Sequence, residues 1–270
     1  MSGGTRIIRS REWARPPAPV RREVRRALPA GDEGKPPLLF VPGFGSGAGA
    51  FAEHWLDHAA GRGFPAYAVS PRGHGLSAPG PGATLREYAH DVVQEAAALP
   101  RRAVLVGHGA GALVVAYGLA RYPARAAVLV SPVLGGFGPL RAALARNPFG
   151  TVPALFGGPL RLSRRQLFSR ELPEHLADEY ADRRGRASAR AQWQLLRHRP
   201  PEPAVGDPPV LVAGSPDDRV VPAKALTEAA RRYGGAPLLF PGMGHELMLD
   251  ARWREPIDAI LDWLDKGSVL

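Results

Sequence analysis

A buried strand, a glycine-rich turn and an apolar helix follow one another without interruption in the middle of this chain. Residues 103–106 are all apolar, which is typical of a strand buried on both faces of a parallel sheet. The turn reads Gly107-His108-Gly109-Ala110-Gly111, and residues 112–120 continue as a buried helix. This junction favours folds in which helices cover a parallel sheet.

The same alternation of apolar strands and amphipathic helices continues along the chain. Further strands are predicted at residues 37–41, 66–69, 127–130, 210–213 and 238–240. Thr84 and Glu87 form a capping box that predicts the start of one helix, and Pro256 marks the first turn of the last helix. We therefore predict the α/β class, with a doubly wound, mostly parallel sheet and a ligand site beyond the carboxyl ends of its strands.

Two segments depart from this alternation. Residues 1–36 are polar and rich in arginine, and they predict an entry hairpin or ragged edge strands. Residues 134–205 contain no convincing strand and predict an insertion of helices and loops into a core formed by residues 1–133 and 206–270. The apolar side chains of the insertion that we expect to line a pocket are Phe137, Leu140, Phe149, Leu155, Phe156 and Leu160.

Composition limits the partners of the chain. The net charge of +10 invites a nucleic-acid hypothesis, but the many arginines are not interleaved with aromatic side chains that could stack on bases. No run of about 18 apolar residues and no secretory signal is visible, so we expect no membrane span and a cytoplasmic location. Because the chain has no cysteine, disulfides and thiolate metal sites are excluded. We expect no nucleic-acid partner, no cofactor and no metal, and the sequence gives no indication of the oligomeric state.

Short motifs stand at the predicted strand ends. They read VPGFG at 41–45, PRGHGLS at 71–77, GHGAG at 107–111, GSPDDRVVP at 214–222 and GHELML at 244–249. In this order they resemble the α/β-hydrolase superfamily, in its esterase, lipase and lysophospholipase-like branch. The resemblance implies an α/β-hydrolase fold in which the insertion forms a helical cap over a pocket for a hydrophobic small-molecule substrate. The chain departs from the family at Pro42, where histidine is usual, and at Gly109, where the nucleophilic serine is expected.

The resemblance also implies a role for individual residues. His245 follows the last strand and occupies the position of the general base. The acid that orients this histidine lies in the motif at 214–222, which contains two candidates. Counting back from the end of the motif favours Asp218, and counting forward from Gly214 favours Asp217; we favour Asp218. Phe44 and Ala110 would supply the backbone N–H groups of the oxyanion hole.

Gly109 has no side chain and cannot attack a carbonyl group, which excludes ordinary acyl-enzyme catalysis. Its presence leaves three interpretations. The protein is an enzyme without a covalent step, in which His245 and Asp218 move protons in a lyase, isomerase, cyclase or direct hydrolysis reaction on an ester, lactone, thioester or polyketide-like carbonyl. Alternatively, it is an esterase-type hydrolase whose nucleophile has been replaced. In the third interpretation, the pocket binds a small molecule and catalyses nothing.

Other polar residues near the predicted site have more ordinary explanations. Ser46 and Ser131 lie in strand-end loops and are possible pocket residues or replacement nucleophiles, although neither stands on the strand-to-helix turn. We interpret His74 as packing in its turn and His108 as packing in the glycine-rich turn.

Overall fold

The predicted apolar strands pair into one seven-stranded sheet in the computed structural model. The structure describes residues 16–135, 141, 144–145, 147–155, 160–197 and 200–266. The strands are β1 (Glu23–Ala27), β2 (Leu38–Val41), β3 (Ala66–Ser70), β4 (Val104–His108), β5 (Ala126–Val130), β6 (Val210–Gly214) and β7 (Leu238–Leu239). The helices are α1 (Gly49–Ala52), α2 (Trp55–Gly61), α3 (Leu85–Ala98), α4 (Ala110–Leu119), α5 (Pro148–Leu155), α6 (Arg164–Leu167), α7 (Glu174–Asp182), α8 (Ala189–Leu196), α9 (Ala223–Arg232) and α10 (Arg254–Lys266).

The order of the strands identifies the edge of the sheet where a ligand can bind. The order is β1-β3-β2-β4-β5-β6-β7, and every pair except β1 with β3 is parallel. From β2 the chain proceeds outward to β3 and then returns to β4 on the other side. Connections that diverge in this way leave a crevice between the carboxyl ends of the two central strands. That crevice lies between the loop after Val41 and the turn after His108. The predicted doubly wound, mostly parallel sheet is confirmed.

Alternate strand residues build the two halves of the core. Leu38 and Phe40 of β2 face a cluster that includes α2 and α10, whereas Leu39 and Val41 face α3 and α4 on the other side. All of these β2 side chains are fully buried. A strand with apolar residues on both faces therefore lies between two layers of helices, as the uninterrupted apolar runs predict.

The predicted helix starts are largely confirmed. The side chain of Thr84 accepts a hydrogen bond from the Glu87 amide at 3.2 Å, and the Glu87 carboxylate accepts one from the Thr84 amide at 2.9 Å. The apolar pattern after residue 47 is divided between α1 and α2, because His54 has a non-helical backbone. This break lets Phe51 and Trp55 both pack on the ring of Phe40.

The amino-terminal segment contributes a single edge strand within the described residues. β1 pairs antiparallel with β3. The carboxylate of Glu23 on β1 accepts hydrogen bonds from the Ser70 hydroxyl at 2.8 Å and the Leu76 amide at 2.9 Å. The predicted edge structure is therefore present as one edge strand. Through Glu23 this strand also fixes the turn at residues 71–77.

Between β5 and β6 the described residues form the helices α5 to α8 and no strand. Phe137, Leu140 and Phe156 lie outside the described residues. Phe149 is 93% exposed, so the expectation that it lines an enclosed pocket is wrong; it stands on the outer side of α5. Throughout the part of the chain that the structure describes, no helix is both long enough and apolar enough to cross a bilayer.

Candidate active site

The turn between β4 and α4 places Gly109 at the crevice in a conformation that suits glycine. Its φ is 54° and its ψ is −124°, a backbone geometry that L side chains adopt only under strain. Its amide donates to the Val130 carbonyl at 3.0 Å. The neighbouring Gly111 packs so tightly that a Cβ atom there would lie 2.4 Å from the Pro42 carbonyl oxygen. The turn is therefore held against the loop after β2.

His245 and Asp218 are brought together at the same edge of the sheet. The Nδ1 atom of His245 lies 2.8 Å from Oδ2 of Asp218, and both residues are buried. The other oxygen, Oδ1 of Asp218, accepts hydrogen bonds from the amides of Val220 at 2.7 Å and Val221 at 3.0 Å. The carboxylate is thus fixed by its own loop, and the hydrogen bond to Nδ1 leaves the Nε2 atom of the ring for other partners.

The pKa of His245 reflects two opposing influences. Burial lowers the pKa of the imidazole, because the charged form loses its hydration. The charge of Asp218 and its hydrogen bond act in the opposite direction and outweigh burial, so the pKa of His245 is raised above the ordinary value of 6.5. The pair can therefore accept a proton and hold it near neutral pH.

The Nε2 side of His245 faces Gly109. A Cβ atom built on Gly109 would lie 3.3 Å from Nε2. Ala110 is the first residue of α4, so its amide belongs to the helix turn that lacks intrahelical partners. Among the backbone hydrogen bonds of the described residues, none is donated by the Phe44 amide. The same Cβ atom would lie 3.7 Å from the Cα of Gly43, the residue before Phe44, so the loop after β2, the residue at the nucleophile position and the predicted base meet here.

The remaining predicted residues are arranged differently. The carboxylate of Asp217 accepts a hydrogen bond from the Gly242 amide at 2.7 Å and so joins two loops, whereas Asp218 contacts His245. Ser131 is fully buried with a φ of 43°, and its hydroxyl has no partner among the described residues. Ser46 is 8% exposed, and its amide donates to the Gly43 carbonyl at 3.1 Å.

The two other predicted histidines are packed as interpreted from the sequence. His74 is buried, with its ring edge-on to Tyr88 at 5.0 Å, and Nδ1 lies 3.2 Å from the Arg72 carbonyl. His108 is buried too, and its Nε2 lies 3.1 Å from the carbonyl oxygen of His245. His108 therefore does more than fill space, because it supports the backbone of the predicted base.

A buried ion pair next to His245 was not predicted from the sequence. The carboxylate of Glu246 is paired with the guanidinium of Arg184, which follows α7, and its second oxygen lies 3.8 Å from Nδ1 of His108. Burial acts to raise the pKa of Glu246, but His108 and Arg184 outweigh it and lower the pKa to about 2. Burial lowers the pKa of His108 to about 4. The only hint in the sequence is an acidic residue directly after the predicted base.

The same cluster defines where a cation could bind. Ligand atoms of His108, His245 and Glu246 lie within 4.8 Å of one another. However, Arg184 already supplies a positive charge to Glu246. The arrangement is that of a salt bridge beside an acid–histidine pair, and it repels a second cation.

Comparison with known proteins agrees with this architecture. The profile of the alpha/beta hydrolase family matches residues 38–262. A thermophilic esterase from Thermogutta terrifontis is 19% identical, with a TM-score of 0.67, over 93% of this chain and 96% of that one. A monoacylglycerol lipase from Paleococcus ferrophilus is 22% identical, with a TM-score of 0.67, over 92% and 98%. A bromoperoxidase from Bacillus anthracis is 15% identical, with a TM-score of 0.65, over 93% and 97%. No curated protein sequence matches the chain.

Proposed function

The chain belongs to the alpha/beta hydrolase family, and we propose that it acts on a hydrophobic carbonyl compound without forming a covalent enzyme intermediate. In this proposal His245, oriented by Asp218, is the general base and acid. The amides of Phe44 and Ala110 bind the oxygen that becomes negative. The substrate is an ester, lactone or thioester in the simplest case, and the nucleophile is water.

The reaction can be written with all protons assigned. A water molecule beside Gly109 gives a proton to Nε2 of His245 while its oxygen bonds to the carbonyl carbon. The carbonyl oxygen takes up the electron pair and is stabilised by the backbone amides. When the tetrahedral intermediate collapses, the bond to the leaving oxygen or sulfur breaks. The imidazolium then returns its proton to the leaving group. Asp218 remains ionised and stabilises the imidazolium throughout.

One observation carries this proposal. The buried pair of Asp218 and His245 is complete, and it is directed at a residue that has no side chain. A pocket used only for binding gains nothing from a histidine whose pKa is raised by a fixed carboxylate. Gly109 places no side-chain atom next to Nε2, and in this proposal a water oxygen hydrogen-bonded to that nitrogen stands about 2.8 Å from it.

The experiment combines turnover with chemical labelling. Aryl esters of increasing acyl length are assayed with the unmodified chain, with His245→Gln and with His58→Gln. The last variant is the matched control, because His58 also contacts an aspartate at 2.7 Å but lies on the surface of α2. We expect slow turnover without an initial burst of product. The turnover rate should decrease on the order of 100-fold in His245→Gln and should be unchanged in His58→Gln. A fluorophosphonate probe, which labels activated serines, should leave the unmodified chain unlabelled.

Two results would contradict the proposal. Labelling of Ser46 or Ser131 by the probe would identify a replacement nucleophile and a covalent route. Ester turnover that is the same in His245→Gln as in the unmodified chain would show that the acid–histidine pair does not take part.

A second candidate function is a serine-type hydrolase that has lost its nucleophile. The observation in its favour is that the 3.3 Å separation between Nε2 and a Cβ on residue 109 would bring a serine hydroxyl within reach of the base. The discriminating variant is Gly109→Ser. This candidate expects strong esterase activity, a burst and fluorophosphonate labelling in that variant, together with no His245-dependent turnover in the unmodified chain.

A further inference from the structure

The inserted segment at residues 183–188, here called the clamp segment, lies against the loop after β2. The guanidinium of Arg184 donates through Nη2 to the Phe44 carbonyl at 2.9 Å. The amide of the next residue, Gly185, donates to the Gly45 carbonyl at 2.7 Å. Two consecutive residues of the insertion therefore bind two consecutive carbonyl groups of the loop at residues 42–46, here called the oxyanion loop.

The approach of the two backbones is close enough to require glycine in the oxyanion loop. Gly45 has a φ of 76°, and a Cβ atom there would lie 2.8 Å from the Gly185 carbonyl oxygen. At Gly185 a Cβ atom would lie 4.0 Å from the Gly45 carbonyl oxygen, which is ordinary contact. The loop is thus shaped around the clamp segment.

Arg184 is itself held by a partner at the other side of the site. Its Nη1 donates to the Glu246 carboxylate, whose side chain is 1% exposed. A planar guanidinium with one edge fixed by a carboxylate presents its other nitrogen in a defined direction. Glu246 directly follows His245, so one side chain connects the segment that carries the base to the loop that carries Phe44.

We propose that Arg184 is a positioning residue that keeps the oxyanion loop in its productive shape, so that the anion-binding amides are aligned only while the clamp segment is seated. The catalytic part of this inference rests on the proposed function, in which the Phe44 amide binds the developing negative charge. The contact itself, and the ordering of the loop that follows from it, do not depend on the reaction. A glycine-rich loop without such contacts has many accessible conformations.

The test measures loop order and catalysis separately. Amide hydrogen exchange is followed at Ser46, whose amide bonds to the Gly43 carbonyl, and at Gly185, whose amide bonds to the oxyanion loop. The variants are Arg184→Met, Arg184→Lys and, as control, Arg164→Met in α6 of the same insertion. Arg164 pairs with Asp178 at 3.0 Å in an exposed ion pair outside the clamp segment.

In Arg184→Met we expect exchange at both amides to accelerate about tenfold or more, with partial restoration in Arg184→Lys. Arg164→Met should exchange like the unmodified chain. For p-nitrophenyl butyrate, kcat should fall in Arg184→Met while KM changes little, because the loop contributes mainly in the transition state. If Arg184→Met does not fold, because Glu246 is left buried and unpaired, the double variant Arg184→Met/Glu246→Gln removes that charge and carries the same expectation.

The proposal is overturned if exchange at Ser46 and Gly185 is unchanged in the Arg184 variants, or if Arg164→Met accelerates it equally. It is also overturned if KM rises while kcat is retained. Should no variant hydrolyse any ester, the proposed function fails, and the exchange measurement still decides whether Arg184 orders the loop.

Discussion

The Nε2 atom of His245 lies 3.3 Å from the position that a Cβ atom on Gly109 would occupy. The separation is short enough for a side chain at residue 109 to meet the imidazole, whereas the glycine places no atom there. The acid–histidine pair is therefore directed at a point where the chain itself supplies no reacting atom. Each prediction below concerns this region or the structure that supports it.

Placing any side chain at residue 109 should destabilise the protein. Gly109→Ala and Gly109→Ser both force an L residue into a positive φ of 54° and place a Cβ close to His245. The expected loss is about 1–3 kcal/mol of unfolding free energy, which corresponds to a Tm lower by several degrees. Chemical denaturation measures it. Equal losses of unfolding free energy in the two variants would show that the loss comes from the backbone conformation. An unchanged stability in Gly109→Ala would contradict the predicted strain.

Turnover that depends on His245 should increase with pH. A general base acts in its neutral form, and the raised pKa of His245 places the inflection above 6.5. In Asp218→Asn the attractive charge is lost and burial remains, so the inflection should move to lower pH while kcat/KM decreases by on the order of 100-fold. The profile of kcat/KM against pH measures both effects.

The control for this profile is Asp217→Asn, which neutralises the carboxylate that binds the Gly242 amide and leaves the histidine pair intact. Its inflection should match that of the unmodified chain. An inflection that moves in Asp217→Asn and stays in place in Asp218→Asn would reverse the assignment of the acid.

Acidification should destabilise the fold in two stages. The folded-state pKa of His108 is about 4, below its ordinary 6.5, so the unfolded chain binds the proton first and stability declines as pH falls from 6.5 towards 4. The folded-state pKa of Glu246 is about 2, below its ordinary 4.5, so its stabilisation is present above pH 4.5 and is lost towards pH 2. The two side chains lie 3.8 Å apart and interact, so the two losses overlap and together are on the order of 3 kcal/mol.

The variant His108→Gln separates the two stages. It removes the titration of His108 and retains a side chain that can donate to the His245 carbonyl, so the slope of the unfolding free energy between pH 6.5 and 4.5 should decrease. The slope that remains reflects His54, His74 and His90, whose pKa values burial also lowers. Denaturant titrations at several pH values measure this slope. The same slope in His108→Gln and in the unmodified chain would assign the first stage to another group.

The turn at residues 71–77 should depend on one buried ion pair. Arg72 donates to Asp91 at 2.8 and 2.7 Å, and the Asp91 side chain is fully buried. Asp91→Asn removes the buried charge partner of the guanidinium and leaves only the partly exposed Glu87 carboxylate at 3.4 Å, so it should cost about 3 kcal/mol. Asp32→Asn, which breaks the exposed pair with Arg101, should have no measurable effect on Tm. A comparable loss of stability in both variants would contradict the expectation that the buried ion pair contributes more than the exposed one.

The fold was predictable because its signals are local. The strands β2 and β5 are uninterrupted apolar runs, β4 begins as one, and the capping box at Thr84 involves residues three positions apart. The pairing of these strands follows from general rules for parallel sheets. The break between α1 and α2 was missed, because it depends on the way Phe51 and Trp55 pack on Phe40, which lies in another element.

The candidate site was predictable only in part. Motif order brings His245 and Gly109 together, but the choice between Asp217 and Asp218 depends on which carboxylate the amides of Val220 and Val221 bind. Arg184 and Glu246 are 62 positions apart, and no spacing rule connects them. One of many arginines becomes important because the folded insertion brings it to the oxyanion loop.

The glycines on either side of Gly109 have a consequence for how such chains are recognised. A Cβ on Gly107 would lie 2.7 Å from the Gly111 carbonyl, and one on Gly111 would strike the Pro42 carbonyl. Close packing alone therefore requires glycine at both positions, whether or not the residue between them takes part in a reaction. The presence of these two glycines in a motif therefore indicates only a tight turn. The side chain of the residue between them indicates whether a covalent reaction is possible.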